Sequence, residues 1–81
     1  MTTAEQLRTF IRESFFVETF GDDDSFLRTG IIDSMGMLQL VAFVEDTFGV
    51  EVEDEELVPA NFESLSKVVA FVEGKRQRRS A

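Results

Sequence analysis

Gly30-Ile31-Ile32-Asp33-Ser34-Met35-Gly36-Met37-Leu38-Gln39-Leu40-Val41-Ala42-Phe43-Val44-Glu45-Asp46-Thr47-Phe48 opens in turn chemistry and continues as an apolar-rich helical run. Asp and Ser both accept hydrogen bonds from the N–H groups that a helix leaves unpaired in its first turn, so a helix is predicted from about Ser34. Phe48 is followed by Gly49, and a glycine at that place ends a helix. Leu40, Val41, Val44 and Phe48 recur at spacings of three and four, which puts one face in a core and leaves Glu45 and Asp46 in water. The Ser34 hydroxyl is therefore expected near the surface, at a rigid helix end.

Working outward, Thr2 or Thr3 can cap a first helix that buries Leu7, Phe10, Ile11 and Phe15, exposes Arg8, Arg12 and Glu13, and ends near Phe16. Residues 17–32 hold Gly21, Asp22-Asp23-Asp24, Ser25 and Gly30, a density of turn formers that reads as a long ordered loop. Phe26 and Leu27 are its expected ties to the core. Beyond Gly49, Val50 and Val52 alternate with Glu51 and Glu53, but a single short strand has nothing to pair with. Asp54-Glu55-Glu56-Leu57 is read instead as one helical turn before Pro59. Phe62 is expected in the core and Ser64 as the cap of a last helix bearing Leu65, Val68, Val69 and Val72 on one stripe, with Phe71 beside it. That helix is expected to run out near Gly74.

The resulting fold class is all-α: a small bundle of three main amphipathic helices plus one short helical turn. At 81 residues the chain is one small domain, expected to be a monomer, with residues 3–74 folded and the basic segment 75–81 a disordered tail. A deep catalytic cleft is not expected at this size.

There is no Cys and no His, which removes thiolate chemistry, disulfides, thiol and imidazole metal ligands and the usual general base. A serine hydrolase has no base to use here, so no enzyme activity is expected. The start lacks a basic region followed by an apolar run, and no segment is long enough to span a bilayer, so a soluble, cytoplasmic protein without membrane insertion is expected. A formal charge of −8 disfavours nucleic acid and favours partners with basic docking surfaces. Between Glu13 and Glu63 the only basic residue is Arg28, so the negative field is concentrated mid-chain; added salt or divalent cations should raise the melting temperature.

Ser34 has two readings, a structural helix cap and a functional hydroxyl. Asp33 already offers a capping carboxylate, the helix start supplies positive potential suited to a phosphate ester, and Gly36 suggests that something approaches the first turn closely. Asp22-Asp23-Asp24 lacks the spacing of a calcium loop and reads as a solvated acidic surface, as does Glu51 to Glu56. Met35, Leu38 and Ala42 exceed what one buried face can use, which means either wider burial or a partner-docking patch.

The run from Gly30 to Gly36 resembles the phosphopantetheine attachment motif of acyl, peptidyl and D-alanyl carrier proteins. Supporting landmarks are Phe26-Leu27, Phe48-Gly49-Val50, the acidic Glu53-Asp54-Glu55-Glu56, Asn61-Phe62 and Ser64-Leu65. The resemblance implies a four-helix carrier fold whose Ser34 holds 4'-phosphopantetheine, delivered from coenzyme A by a phosphopantetheinyl transferase, with Asp33 part of the recognised motif. The arm would carry an acyl or aminoacyl group as a thioester. It further implies an adenylating ligase and downstream acyl-transferring enzymes as partners, docking on Met35, Leu38, Ala42, Glu45 and Asp46. Gly36, Met37 and Gln39 stand where fatty acid carriers commonly have acids, so the motif is more similar to D-alanyl and aminoacyl carriers. The different-class alternative is an unmodified acidic helical adaptor that binds a basic protein.

Overall fold

The computed structural model describes residues 2–80, with side chains described through Gln77. Five helices follow in order: α1 (Thr3–Ser14), α2 (Phe26–Thr29), α3 (Ser34–Phe48), α4 (Pro59–Phe62) and α5 (Leu65–Ser80). A single 3₁₀ turn, Asp54–Glu56, lies between α3 and α4, and no strand occurs among the described residues.

Helix α1 starts with a reciprocal cap: Thr2 Oγ1 accepts the Glu5 N–H at 3.1 Å and Glu5 Oε1 accepts the Thr2 N–H at 3.0 Å. The bond from the Thr2 N–H favours the ionised Glu5 carboxylate and, with the Thr2 side chain, holds its pKa below the ordinary value. The helix ends at Phe15, the Val17 N–H reaches back to the Arg12 carbonyl at 3.1 Å, and Phe16 sits between at φ 58°. That left-handed position at a helix end usually falls to glycine.

The loop between α1 and α3 is ordered by contacts from distant residues. Arg8, expected to face solvent, is half-buried: it donates to the Phe20 carbonyl at 2.7 Å, pairs with Asp22, and lies 4.5 Å from the centre of the Phe20 ring. The Phe26 N–H donates to the Glu63 carbonyl at 2.9 Å and the Ser66 N–H to the Asp22 carbonyl at 2.9 Å. Phe26 is completely buried, which stabilises the loop by roughly 1.5–3 kcal/mol. Leu27 is not the second tie: it is 56% exposed, because α2 turns only one of the pair inward.

The core lies where α1, α3 and α5 meet. Leu7 and Ile11 from α1, Leu40 and Val44 from α3, and Leu65, Val68 and Val72 from α5 are essentially inaccessible. A ladder of rings runs along its side, with Phe10 stacked on Phe43 at 4.1 Å and Phe43 edge-on to Phe48 at 6.0 Å. Ser64 accepts the Lys67 N–H at 3.4 Å and so begins α5 as expected.

Helix α5 does not stop at Gly74. It continues through the segment expected to be a disordered tail as far as Ser80, while Ala81 lies outside the described residues. Tertiary contacts hold the extension: Lys75 Nζ is 2.7 Å from Glu56 Oε1, and the Arg76 guanidinium sits 5.9 Å from the Phe48 ring centre. Arg76 also donates to Thr3 Oγ1 at 3.4 Å, and that hydroxyl donates to Glu73. Basic side chains additionally suit the negative end of a helix.

Candidate functional site: the start of α3

Two turns of opposite character deliver the chain to α3. Gly30 takes φ 80° and closes α2, and Ile32 then drops fully into the core. Asp33 is extended, and its Oδ1 accepts the Gly36 N–H at 2.6 Å while its carbonyl accepts the Met37 N–H at 2.9 Å. Asp33 is therefore the cap. Ser34 is the first helical residue and is exposed, and among the described residues its hydroxyl has no hydrogen-bond partner. The main-chain N–H groups of Ser34 and Met35 likewise find no acceptor there. The structural reading of Ser34 as a capping residue is thereby removed.

The reason for Gly36 differs from the one expected. Gly36 is buried, and a Cβ built on it would fall 2.6 Å from Phe15 Cε1 and 3.1 Å from both Asp33 Oδ1 and Ile32 Cγ2. What approaches closely is the protein's own aromatic ring.

Of the apolar surplus on α3, Met35 is 77% exposed and Leu38 65% exposed, and Ala42 is exposed as well. At spacings of three and four they form one stripe leading away from Ser34. The wider-burial reading of these three residues is thus not the one the fold adopts. Asp46 is exposed, but Glu45 is half-buried and its Oε2 accepts the Val52 N–H at 3.0 Å. Glu45, expected to stay in water, instead holds the chain that leaves α3.

A cavity of about 250 Å³ opens beside α3, lined by Leu27, Met37, Leu57, Val58, Pro59 and Phe62 with Ser25, Arg28 and Glu63 at its polar positions. Sequence reasoning did not find this groove; the adjacent Leu57-Val58 pair, outside any helical stripe, was the available signal. The acids elsewhere are spoken for or merely crowded. Asp24 Oδ2 accepts the Gly21 N–H at 2.8 Å, and repulsion from Glu51 first, then burial, Glu55 and Glu56 hold the Glu53 carboxyl above its ordinary pKa. No described helix is long and apolar enough to cross a membrane.

An all-helical bundle presenting an unpartnered serine at the tip of its central helix has the architecture of a carrier domain. The family model for the phosphopantetheine attachment site matches residues 5–72. The chain belongs to that family, the carrier proteins that bear a 4'-phosphopantetheine prosthetic group. A D-alanyl carrier protein from Lacticaseibacillus casei (strain BL23) is 35% identical over 51 residues, a match that covers 63% of each protein. The matched region is thus less than two-thirds of that relative's length. Among solved structures, the apo form of KstB-PCP superposes with a TM-score of 0.73 at 33% identity, covering 91% of this chain and 86% of that one. A chain from the crystal structure of an FAD-dependent dehydrogenase gives a TM-score of 0.72 at 25% identity, covering 82% and 97% respectively. The latter likeness is one of fold.

Proposed function

We propose that this protein is a non-catalytic carrier that holds an acyl or aminoacyl group as a thioester on an arm attached to Ser34. The observation that carries the reading is an exposed hydroxyl without a partner among the described residues, at the first position of a helix whose cap is supplied by the neighbouring residue. When bound, 4'-phosphopantetheine supplies the thiol that the chain, with no cysteine, lacks. The residues present fit that group. Ser34 Oγ would hold it as a phosphodiester, and the free N–H groups of Ser34 and Met35 at a positive helix end favour the phosphate charge. Asp33, by occupying the Gly36 N–H, keeps this turn helical and leaves the serine unencumbered.

Loading and unloading require other proteins: a phosphopantetheinyl transferase, an adenylating ligase and downstream acyl-transferring enzymes. Met35, Leu38 and Ala42 offer them a continuous apolar stripe beside Ser34, with Asp46 as an accessible charge for basic residues. Glu45, engaged with Val52, contributes less to docking than the motif alone suggests. The likeness to a D-alanyl carrier and the Gly36-Met37-Gln39 sequence support an amino acid or another small acid as cargo.

Co-expression with a broad-specificity transferase followed by intact-mass analysis tests the proposal. The wild type gains one arm and Ser34→Ala gains none. A chain that never gains mass refutes it and leaves an unmodified acidic adaptor.

A further inference from the structure

We infer that Phe15 and Gly36 form a paired contact that positions Ser34, an inference that rests on Ser34 being the attachment residue. Glycine is a poor residue for the first turn of a helix, yet any larger side chain at this place would meet Phe15 Cε1 at 2.6 Å. The ring cannot simply retreat. It sits edge-on to Phe10 with centres 6.1 Å apart, and Phe10 is stacked at 4.1 Å on Phe43, which belongs to α3 itself. Three rings therefore close a circuit from the end of α1 back to the helix that carries Ser34.

The backbone fixes the ring from the other side. The Phe15 N–H donates to the Ile11 carbonyl at 3.0 Å, and the left-handed Phe16 turns the chain away immediately afterwards. On the α3 side, the next atoms in line are Asp33 Oδ1 and Ile32 Cγ2, the cap and the core anchor that precede Ser34. A methyl group at position 36 pushes the first turn away from Phe15 and loosens the bond between Asp33 and the position-36 amide. Trimming the ring leaves the same turn unsupported. Phe15 and Gly36 touch no reacting atom; they act through the placement of Ser34 Oγ, and displacement of a reacting atom by part of an ångström lowers a rate by roughly tenfold.

The test is the kinetics of loading from coenzyme A by a purified transferase, read by intact mass, together with amide hydrogen exchange. Gly36→Ala should keep its helicity and its KM, lose about tenfold in kcat, and exchange the position-36 amide faster. Adding Phe15→Leu to Gly36→Ala should restore most of both. Loading of Gly36→Ala at the wild-type rate, or a double variant no better than the single, overturns the inference. If Gly36→Ala does not fold, Phe15→Leu alone decides: it should load more slowly and loosen the same amide while amides in the middle of α5 stay protected, and wild-type behaviour overturns the pairing. A wild-type protein that gains no mass overturns the attachment reading and this inference with it, an outcome distinct from either of these.

Discussion

Asp33→Ala removes the carboxylate that accepts the Gly36 N–H at 2.6 Å, leaving that buried amide without an acceptor at the start of α3. Loss of an Asp cap costs about 0.5–2 kcal/mol, and here the acceptor also interacts with the positive end of a four-turn-scale helix, so the upper half of that range applies, about 1–2 kcal/mol. For a domain of this size each kcal/mol moves the melting temperature by about 4–8 °C. Ser34→Ala, one residue on, removes an exposed hydroxyl with no partner among the described residues and should stay within about 0.5 kcal/mol of wild type. Asp33→Asn keeps a capping oxygen and should fall between them. Urea denaturation followed by far-ultraviolet circular dichroism measures all three. A loss of stability in Ser34→Ala equal to or larger than that in Asp33→Ala would refute the assignment of the cap, and with it the argument that the serine is spare.

Val44 is fully buried, so Val44→Ala should cost about 2–3 kcal/mol in the same experiment, whereas Leu38→Ala on the exposed stripe should cost under about 0.5; equal effects would mean that α3 is faced wrongly. Phe16→Gly relieves a left-handed backbone worth about 1–2 kcal/mol and gives up about 0.5–1 of it to a floppier unfolded chain, with little packing lost from a side chain 93% exposed. It should raise the midpoint slightly, and a clear drop would show that the ring has a structural partner. Because the folded pKa of Glu53 lies above its unfolded value, the stability linked to this group is full below about pH 4.5 and is lost as pH rises through the folded pKa. Glu53→Gln should therefore raise the melting temperature at neutral pH and lose that advantage on acidification; a pH-independent effect would place the cause elsewhere.

The long helices were legible because each repeats its apolar residues often enough to define a face, and Gly49 marks a stop that the structure uses. Helix α2 was not, since four residues cannot display a period and Ser25 and Gly30 read equally well as loop residues. For the same reason nothing separated buried Phe26 from exposed Leu27. Arg8 looked like a solvated charge because its partners, Phe20 and Asp22, lie across a loop whose path periodicity does not describe. The end of α5 was misread through Gly74: local propensity weakens there, but Lys75 and Arg76 find Glu56, Phe48 and Thr3 across the bundle. At the site itself, the motif and the exposure of Ser34 were readable. The distinction between cap and first helical residue, and the ring that Gly36 accommodates, were not, because both depend on where side chains lie to within an ångström.

Peptide mapping of the loaded protein tests the central claim most directly. After incubation with coenzyme A and a competent transferase, trypsin should release the fragment from Thr29 to Lys67 carrying the mass of one phosphopantetheine, with fragmentation placing it on Ser34. An adduct on another residue, or an unmodified fragment under conditions that load a control carrier, would contradict the account.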